Sequence, residues 1–174
     1  FFESLLVDFL DESGQLLDRL NENLLQLEAR VRSLDENHSE RCDEDLMNDM
    51  FRSAHSLKGL SAMLGLADIN DLTHKVENVF DAARKDELII SGNCVELMFQ
   101  AVDRLVAMVD VLKAPDAEPV SCNQVIQGIS NLLQKAGVER KKSSQADAEK
   151  ALADLAEEEV GRNPSPKASC VSPS

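Results

Sequence analysis

The chain has 174 residues and a formal net charge of −14, with 18 Lys and Arg against 32 Asp and Glu. This acidity argues against the broad basic surfaces that bind nucleic acid or anionic membranes, so neither is expected as a partner. Aromatic residues make up only 3% of the chain, with no Trp or Tyr, and Gly and Pro are few. A composition poor in strand formers and turn formers favours helices joined by short connections.

Apolar residues recur every three to four positions through five segments, which is the pattern of amphipathic helices. The first segment, 1–34, is unusually long, and a polar loop is predicted after it at 35–42. The second helix, 43–64, stops before Gly65, a residue suited to the left-handed backbone that often ends a helix. The three remaining helices are predicted at 68–85, 93–112 and 121–137.

Four long amphipathic helices with short connections predict an all-α fold, an antiparallel up-down four-helix bundle. Asp68 is the predicted N-cap of the third helix and Asn93 that of the fourth. The shorter fifth helix is an additional C-terminal element, expected to pack on one end or one side of the bundle.

After Glu139 the composition changes to Lys, Ser, Ala, Glu and Pro, and bulky apolar anchors become rare. Such a segment cannot bury enough apolar surface to offset the entropy of ordering it. We therefore predict one helical-bundle domain over 1–137 and a flexible, disordered linker or tail over 138–174. Because the chain begins with Phe, we expect it to be a piece of a longer protein.

The four cysteines are widely separated and form no C-x-x-C motif. They could pair as two disulfides, but a reduced state is the preferred interpretation. No run approaches the roughly 20 apolar residues of a membrane span, and no signal peptide is visible. A cytoplasmic location without membrane insertion is predicted.

A cluster of chemically active residue types lies in the second and third helices. At about 100° per residue, His55 lies roughly 140° from the centre of its helix's apolar stripe and therefore points away from the core. Lys58 follows at the (i, i+3) spacing that lets helical side chains meet. Gly59 and Ala62, further along the helix, are small and leave room for a large group to approach the imidazole.

On the third helix, His74 and Glu77 form another (i, i+3) pair. His55 is ten residues before Gly65 and Glu77 is twelve after it, so an antiparallel helix pair brings them to the same height. This spacing predicts a hydrogen bond between His55 and Glu77. A carboxylate that accepts from one ring nitrogen leaves the other unprotonated and nucleophilic. A nearby lysine such as Lys58 can neutralise an incoming phosphoryl oxygen.

The pattern resembles that of histidine phosphotransfer (Hpt) domains, and most of all the N-terminal phosphotransfer domain of chemotaxis histidine kinases of the CheA type. The resemblance covers about residues 1–135 and is carried by three segments: Phe-Arg-Ser-Ala-His-Ser-Leu-Lys-Gly at 51–59, Met-Leu-Gly-Leu at 63–66, and Leu-Thr-His-Lys-Val-Glu at 72–77.

The resemblance implies a role for each residue of the cluster. His55 would be phosphorylated, at the ring nitrogen that is not bonded to Glu77. Lys58 would assist the transfer, and Glu77 and His74 would belong to the supporting hydrogen-bond network. A metal is not implied.

The resemblance also implies partners. The phosphoryl group would come from ATP through a separate kinase catalytic domain, which uses the ATP and Mg²⁺, so this domain needs no cofactor of its own. It would then pass to an aspartate on a response regulator receiver domain of the CheY or CheB type. The chain alone would accept and donate phosphate as a fragment of a protein histidine kinase, a transferase.

Four alternatives follow from the same residues. A stand-alone Hpt phosphorelay protein would share the site, and a non-catalytic adaptor bundle would share only the fold. His55, His74 and Glu77 could supply three zinc ligands, but a closed site would lack its fourth, and no Glu-x-x-His motif of a di-iron bundle is present. A self-contained hydrolase is disfavoured because the sequence has no Gly-rich phosphate loop.

Overall fold

A computed structural model of the protein describes residues 2–34, 43–114 and 116–137. This part of the chain contains five α-helices and no strand, so the predicted all-α fold is confirmed. The helices are α1 (Phe2–Leu34), α2 (Glu44–Met63), α3 (Ala67–Arg84), α4 (Gly92–Val111) and α5 (Asn123–Lys135). The predicted loop at 35–42, which includes His38, and the predicted linker at 138–174 lie outside the described residues.

The first four helices pack as a ring, in which α1 contacts α2 and α4, and α3 contacts α2 and α4. The antiparallel arrangement of α1 and α2 is visible in their ion pairs. Arg30, late in α1, pairs with Asp43 at the start of α2, while Arg19, earlier in α1, pairs with Asp49 further along α2. The predicted four-helix bundle is therefore present.

The core consists of the apolar stripes that the periodicity predicts, and the largest side chains are fully buried. Burying one such side chain contributes roughly 1.5–3 kcal/mol, so the stripes fix which face of each helix turns inward. The largest fully buried residues include Leu20, Leu24, Met47, Met50, Leu57, Leu72, Val76, Phe80, Met98 and Leu105.

The fifth helix packs against α3 and α4, on one side of the bundle. Val125 and Ile129 are its buried residues. Gly128, one position before Ile129, allows the close approach, since a Cβ atom there would lie 2.9 Å from Cδ1 of Leu97 on α4.

The turn between α2 and α3 is set by Gly65, which adopts a φ of +68° as its sequence position suggests. The Gly65 N–H donates to the Ala62 carbonyl and the Leu66 N–H to the Ser61 carbonyl, at 3.1 and 2.9 Å, which is the Schellman arrangement. This tight turn returns the chain to helix at Ala67 and holds α2 and α3 side by side.

Two predicted N-caps are wrong. Leu66, not Asp68, precedes α3, because the Schellman turn leaves only one residue between Gly65 and the new helix; Asp68 lies in the first turn. Ser91, not Asn93, caps α4, and its hydroxyl accepts from the Cys94 N–H. Sequence patterns place helix ends less reliably than helix bodies, since several neighbouring residues can cap.

Within the described ranges, no helix is long and apolar enough to cross a membrane. Cys122 is a free thiol. Cys94 is buried, and burial raises the pKa of the Cys122 thiol.

Candidate functional site

His55 lies on the outer face of α2, where the helical angle places it. Its side chain is 62% exposed, whereas Ala54 and Leu57 on either side of it are fully buried. The core thus fixes the rotation of α2, and that rotation presents the imidazole to solvent.

Glu77 reaches this imidazole from α3 with a carboxylate that is only 10% exposed. One oxygen, Oε2, lies 3.0 Å from His55 Nδ1, and the other, Oε1, accepts from the Lys58 ammonium at 2.9 Å. The hydrogen bond that the spacing about Gly65 predicts is therefore present. A buried carboxylate is costly unless it is paired, and here each oxygen has its own partner.

The tautomer of His55 follows from the chemistry of its partner. An ionised carboxylate can only accept, so Nδ1 carries the proton and donates it to Glu77. In the neutral ring, Nε2 then holds the lone pair. The arrangement yields a nucleophilic nitrogen on an exposed side chain.

Lys58 contacts the same carboxylate as His55. Its side chain is 26% exposed, and its ammonium forms an ion pair with Glu77. Asn70 on α3 also donates to the Lys58 backbone carbonyl at 2.8 Å. Lys58 is therefore tied to α3 through both its side chain and its backbone.

Sequence reasoning missed three residues around this site. Asn70 bridges α3 to α2, and no local pattern indicates that contact. Phe51 lies one turn before His55 and its ring stacks on the imidazole, with centroids 5.8 Å apart and planes 21° from parallel. The (i, i+4) spacing of Phe51 and His55 could have found this pair. Arg84, from the last turn of α3, places its guanidinium carbon 3.7 Å from the centroid of the Phe51 ring.

His74 lies on α3 one turn before Glu77 and is partly buried. Its place in the supporting network stays a prediction. Among the described residues, no group of three or more His, Cys, Asp or Glu side chains is arranged to hold a metal ion. The site that the geometry assembles consists of His55, Lys58 and Glu77, with Phe51 on the imidazole.

A known family model matches the segment that contains these residues. Residues 4–114 match the model of the Hpt domain. The chain is 40% identical over 101 residues to the chemotaxis protein CheA of Bacillus subtilis (strain 168), an alignment that covers 58% of this chain and 14% of that protein.

Two solved structures are similar in fold. The phosphorylated P1 domain of CheA3 from R. sphaeroides, in complex with CheY6, aligns with a TM-score of 0.65 at 23% identity and covers 78% of this chain and 99% of that one. The CheA phosphotransferase domain from Thermotoga maritima aligns with a TM-score of 0.54 at 32% identity, covering 66% and 98%. Because the family model spans well over half of the sequence, the chain belongs to the Hpt domain family of histidine phosphotransfer modules.

Proposed function

We propose that this chain is the phosphotransfer domain of a CheA-type chemotaxis kinase and that His55 carries the phosphoryl group. The observation that carries the proposal is the His55–Glu77 hydrogen bond, which fixes the tautomer of a side chain that is 62% exposed. The similarity to CheA proteins adds support, at 40% identity to the B. subtilis protein and 32% identity to the T. maritima domain. The proposed domain is 1–137, in the cytoplasm.

In the accepting step, the lone pair of Nε2 attacks the γ-phosphorus of ATP held with Mg²⁺ on a separate kinase catalytic domain. A P–N bond forms and the P–O bond to ADP breaks. The ring becomes cationic as it accepts the phosphoryl group, and the Glu77 carboxylate beside Nδ1–H stabilises that charge. Lys58 supplies a cation close to the incoming phosphoryl oxygens.

In the donating step, a carboxylate oxygen of a receiver-domain aspartate attacks the phosphorus. The P–N bond breaks and its electron pair returns to Nε2, which restores the neutral ring. A receiver of the CheY or CheB type is the proposed acceptor, and the R. sphaeroides relative, solved with CheY6, supports this class. The open surface beside His55, at Gly59 and Ala62, gives such a partner access to the phosphoryl group.

Radiolabelled phosphate transfer tests the proposal. The chain is incubated with [γ-³²P]ATP and the catalytic domain of a CheA relative, and we expect acid-labile, base-stable label on the wild type. His55→Gln should abolish the label, because it removes the accepting nitrogen.

His74→Gln provides the matched control, since it removes the other histidine of the same helix pair and leaves the acceptor in place. It should still be labelled. Label that persists in His55→Gln, or a wild type that takes none, overturns the assignment.

A further inference from the structure

The hydrogen bond to Glu77 does not by itself hold the His55 ring in one plane. It constrains one edge of the imidazole, at Nδ1, through a single distance, whereas the side chain has two rotatable torsions, so the plane of the ring can still tilt. Because the side chain is 62% exposed, the protein core does not enclose it. A second contact is needed to aim Nε2.

Phe51 supplies that contact to the face of the ring. The two rings lie 5.8 Å apart and nearly parallel, which is an offset stack within the range that aromatic pairs favour. An edge contact and a face contact together define the orientation of a planar group. His55 has both.

Phe51 is held in turn from α3. The guanidinium of Arg84 lies over its ring at 3.7 Å. That guanidinium donates through Nε to Oδ1 of Asp81 at 2.8 Å, and a terminal nitrogen forms an ion pair with the same oxygen at 2.7 Å. Burial raises the pKa of Asp81, but hydrogen bonds from Lys85 and Arg84 outweigh it, so the pKa lies below its usual range. The carboxylate that anchors Arg84 is thus charged at neutral pH.

The register of the two helices places all these residues along one seam. On α2, Phe51, His55 and Lys58 follow at spacings of four and three, and on α3 the spacings from Glu77 to Asp81 to Arg84 are four and three. Since the helices are antiparallel, Glu77 meets His55 and Lys58, and Arg84 meets Phe51. Helix α3 therefore controls both the edge and the face of the imidazole.

We infer that Phe51 and Arg84 are positioning residues for phosphotransfer, which set the plane of the His55 ring through an Arg84–Phe51–His55 stack. The inference rests on the proposed function of His55. Neither residue exchanges phosphate or a proton; the stack keeps Nε2 pointed along the direction from which a docked kinase or receiver domain presents its phosphorus. Near-attack alignment of this kind raises the rate of the chemical step and leaves partner binding unchanged.

The first test uses Phe51→Leu, which removes the aromatic face and keeps an apolar side chain. With the kinase catalytic domain and ATP, we expect kcat to fall about 3- to 10-fold, the factor that corresponds to the loss of one aromatic stack, with KM within about twofold of the wild type. Phe51→Tyr should restore kcat. Phe99→Leu is the matched control, because Phe99 is a partly buried phenylalanine on α4, which does not contact α2 in the described structure, and it should leave kcat unchanged.

The second test separates positioning from nucleophilicity. Phosphoramidate phosphorylates histidine without a kinase, by exchange of its P–N bond to ammonia for one to Nε2. A small donor in solution can meet the ring in any orientation, so Phe51→Leu should change this rate by less than about twofold. Equal losses with both donors, or a change in KM alone, would overturn the positioning role.

The third test concerns Arg84. Arg84→Lys keeps the charge but loses the planar group that covers the ring and donates to Asp81 through Nε. We expect a loss in kcat comparable to that of Phe51→Leu. Full activity of Arg84→Lys would show that only the charge of Arg84 matters, and it would refute the positioning role of the stack.

A nuclear magnetic resonance measurement keeps this inference distinct from the proposed function. The carbon-bound ring protons of His55 should carry an upfield ring-current shift that Phe51→Leu removes and Phe51→Tyr restores. If the wild type takes no phosphate at His55, the proposed function fails. The ring shift still decides whether the stack orients the imidazole, and its absence refutes the inference.

Discussion

Glu77 does two things at once. One oxygen fixes the tautomer of His55 and the other holds Lys58, so a single buried carboxylate organises both the acceptor nitrogen and the nearby cation. The positions of these polar residues along the helix pair can be predicted from the sequence, because they follow from helix spacing and from the Gly65 turn. The contact of Arg84 with the Phe51 ring cannot be predicted in this way, since it depends on how two helix surfaces meet.

Glu77→Gln tests this double role. The amide oxygen can still accept from Nδ1–H, but the bond loses its charge assistance, which makes such bonds roughly twice as strong as neutral ones. We expect ¹⁵N spectra of the His55 ring to show a larger share of the tautomer protonated at Nε2, and the phosphorylation rate to fall by up to about tenfold.

Glu96→Gln makes the same chemical change at an exposed position on α4 and serves as its control. It should leave both the spectra and the rate unchanged. An unaltered His55 tautomer in Glu77→Gln would contradict the proposed role of the carboxylate.

At the scale of the element, the Gly65 turn is what brings the site together. Its Schellman bonds leave only residues 64–66 between α2 and α3, and this short connection sets the register that pairs His55 with Glu77. Amphipathic periodicity predicts the helix bodies well because burial of the stripe dominates their free energy. The two misplaced N-caps show that helix ends depend on finer local geometry.

Gly65→Ala should lower the free energy of unfolding by about 1–2 kcal/mol, because its φ of +68° is disfavoured for a residue with a Cβ atom. Urea unfolding followed by circular dichroism measures the change. Gly14→Ala is the matched control in the interior of α1, where a Cβ would meet nothing within 4 Å. It should raise stability by roughly 0.5–1 kcal/mol. Equal effects of the two substitutions would refute the role of the Gly65 turn.

At the scale of the whole molecule, helix pairs are joined by polar bridges as well as by the core. Asp49 of α2 accepts from Arg19 and Asn23 of α1. Burial raises the pKa of Asp49, but the hydrogen bonds from these two residues outweigh it, so the pKa lies below its ordinary value. A depressed pKa in the folded state means that the ionised carboxylate stabilises the fold.

Asp49→Asn should therefore lower the free energy of unfolding at about pH 7, by roughly 0.5–1 kcal/mol, the range for a largely exposed ion pair. The contribution is fully present above the ordinary pKa of Asp and is lost as the pH falls through the lower folded-state pKa. The difference in the free energy of unfolding between wild type and variant should thus become smaller in urea unfolding at about pH 3. Asp103→Asn, at an exposed position on α4, should show little effect at either pH. A difference in the free energy of unfolding that does not change with pH would contradict the prediction.

The order of residues along the chain was enough to predict the helical class, the bundle, the outward direction of His55 and its pairing with Glu77. Each of these follows from periodicity along a helix or from spacing about one turn, and such features depend only on residues that are close together in the sequence. The packed structure was needed to show that α5 lies on α3 and α4, that one carboxylate binds both His55 and Lys58, and that Arg84 contacts Phe51. These depend on which side chains meet across packed surfaces, and that is set by the shape of the whole core.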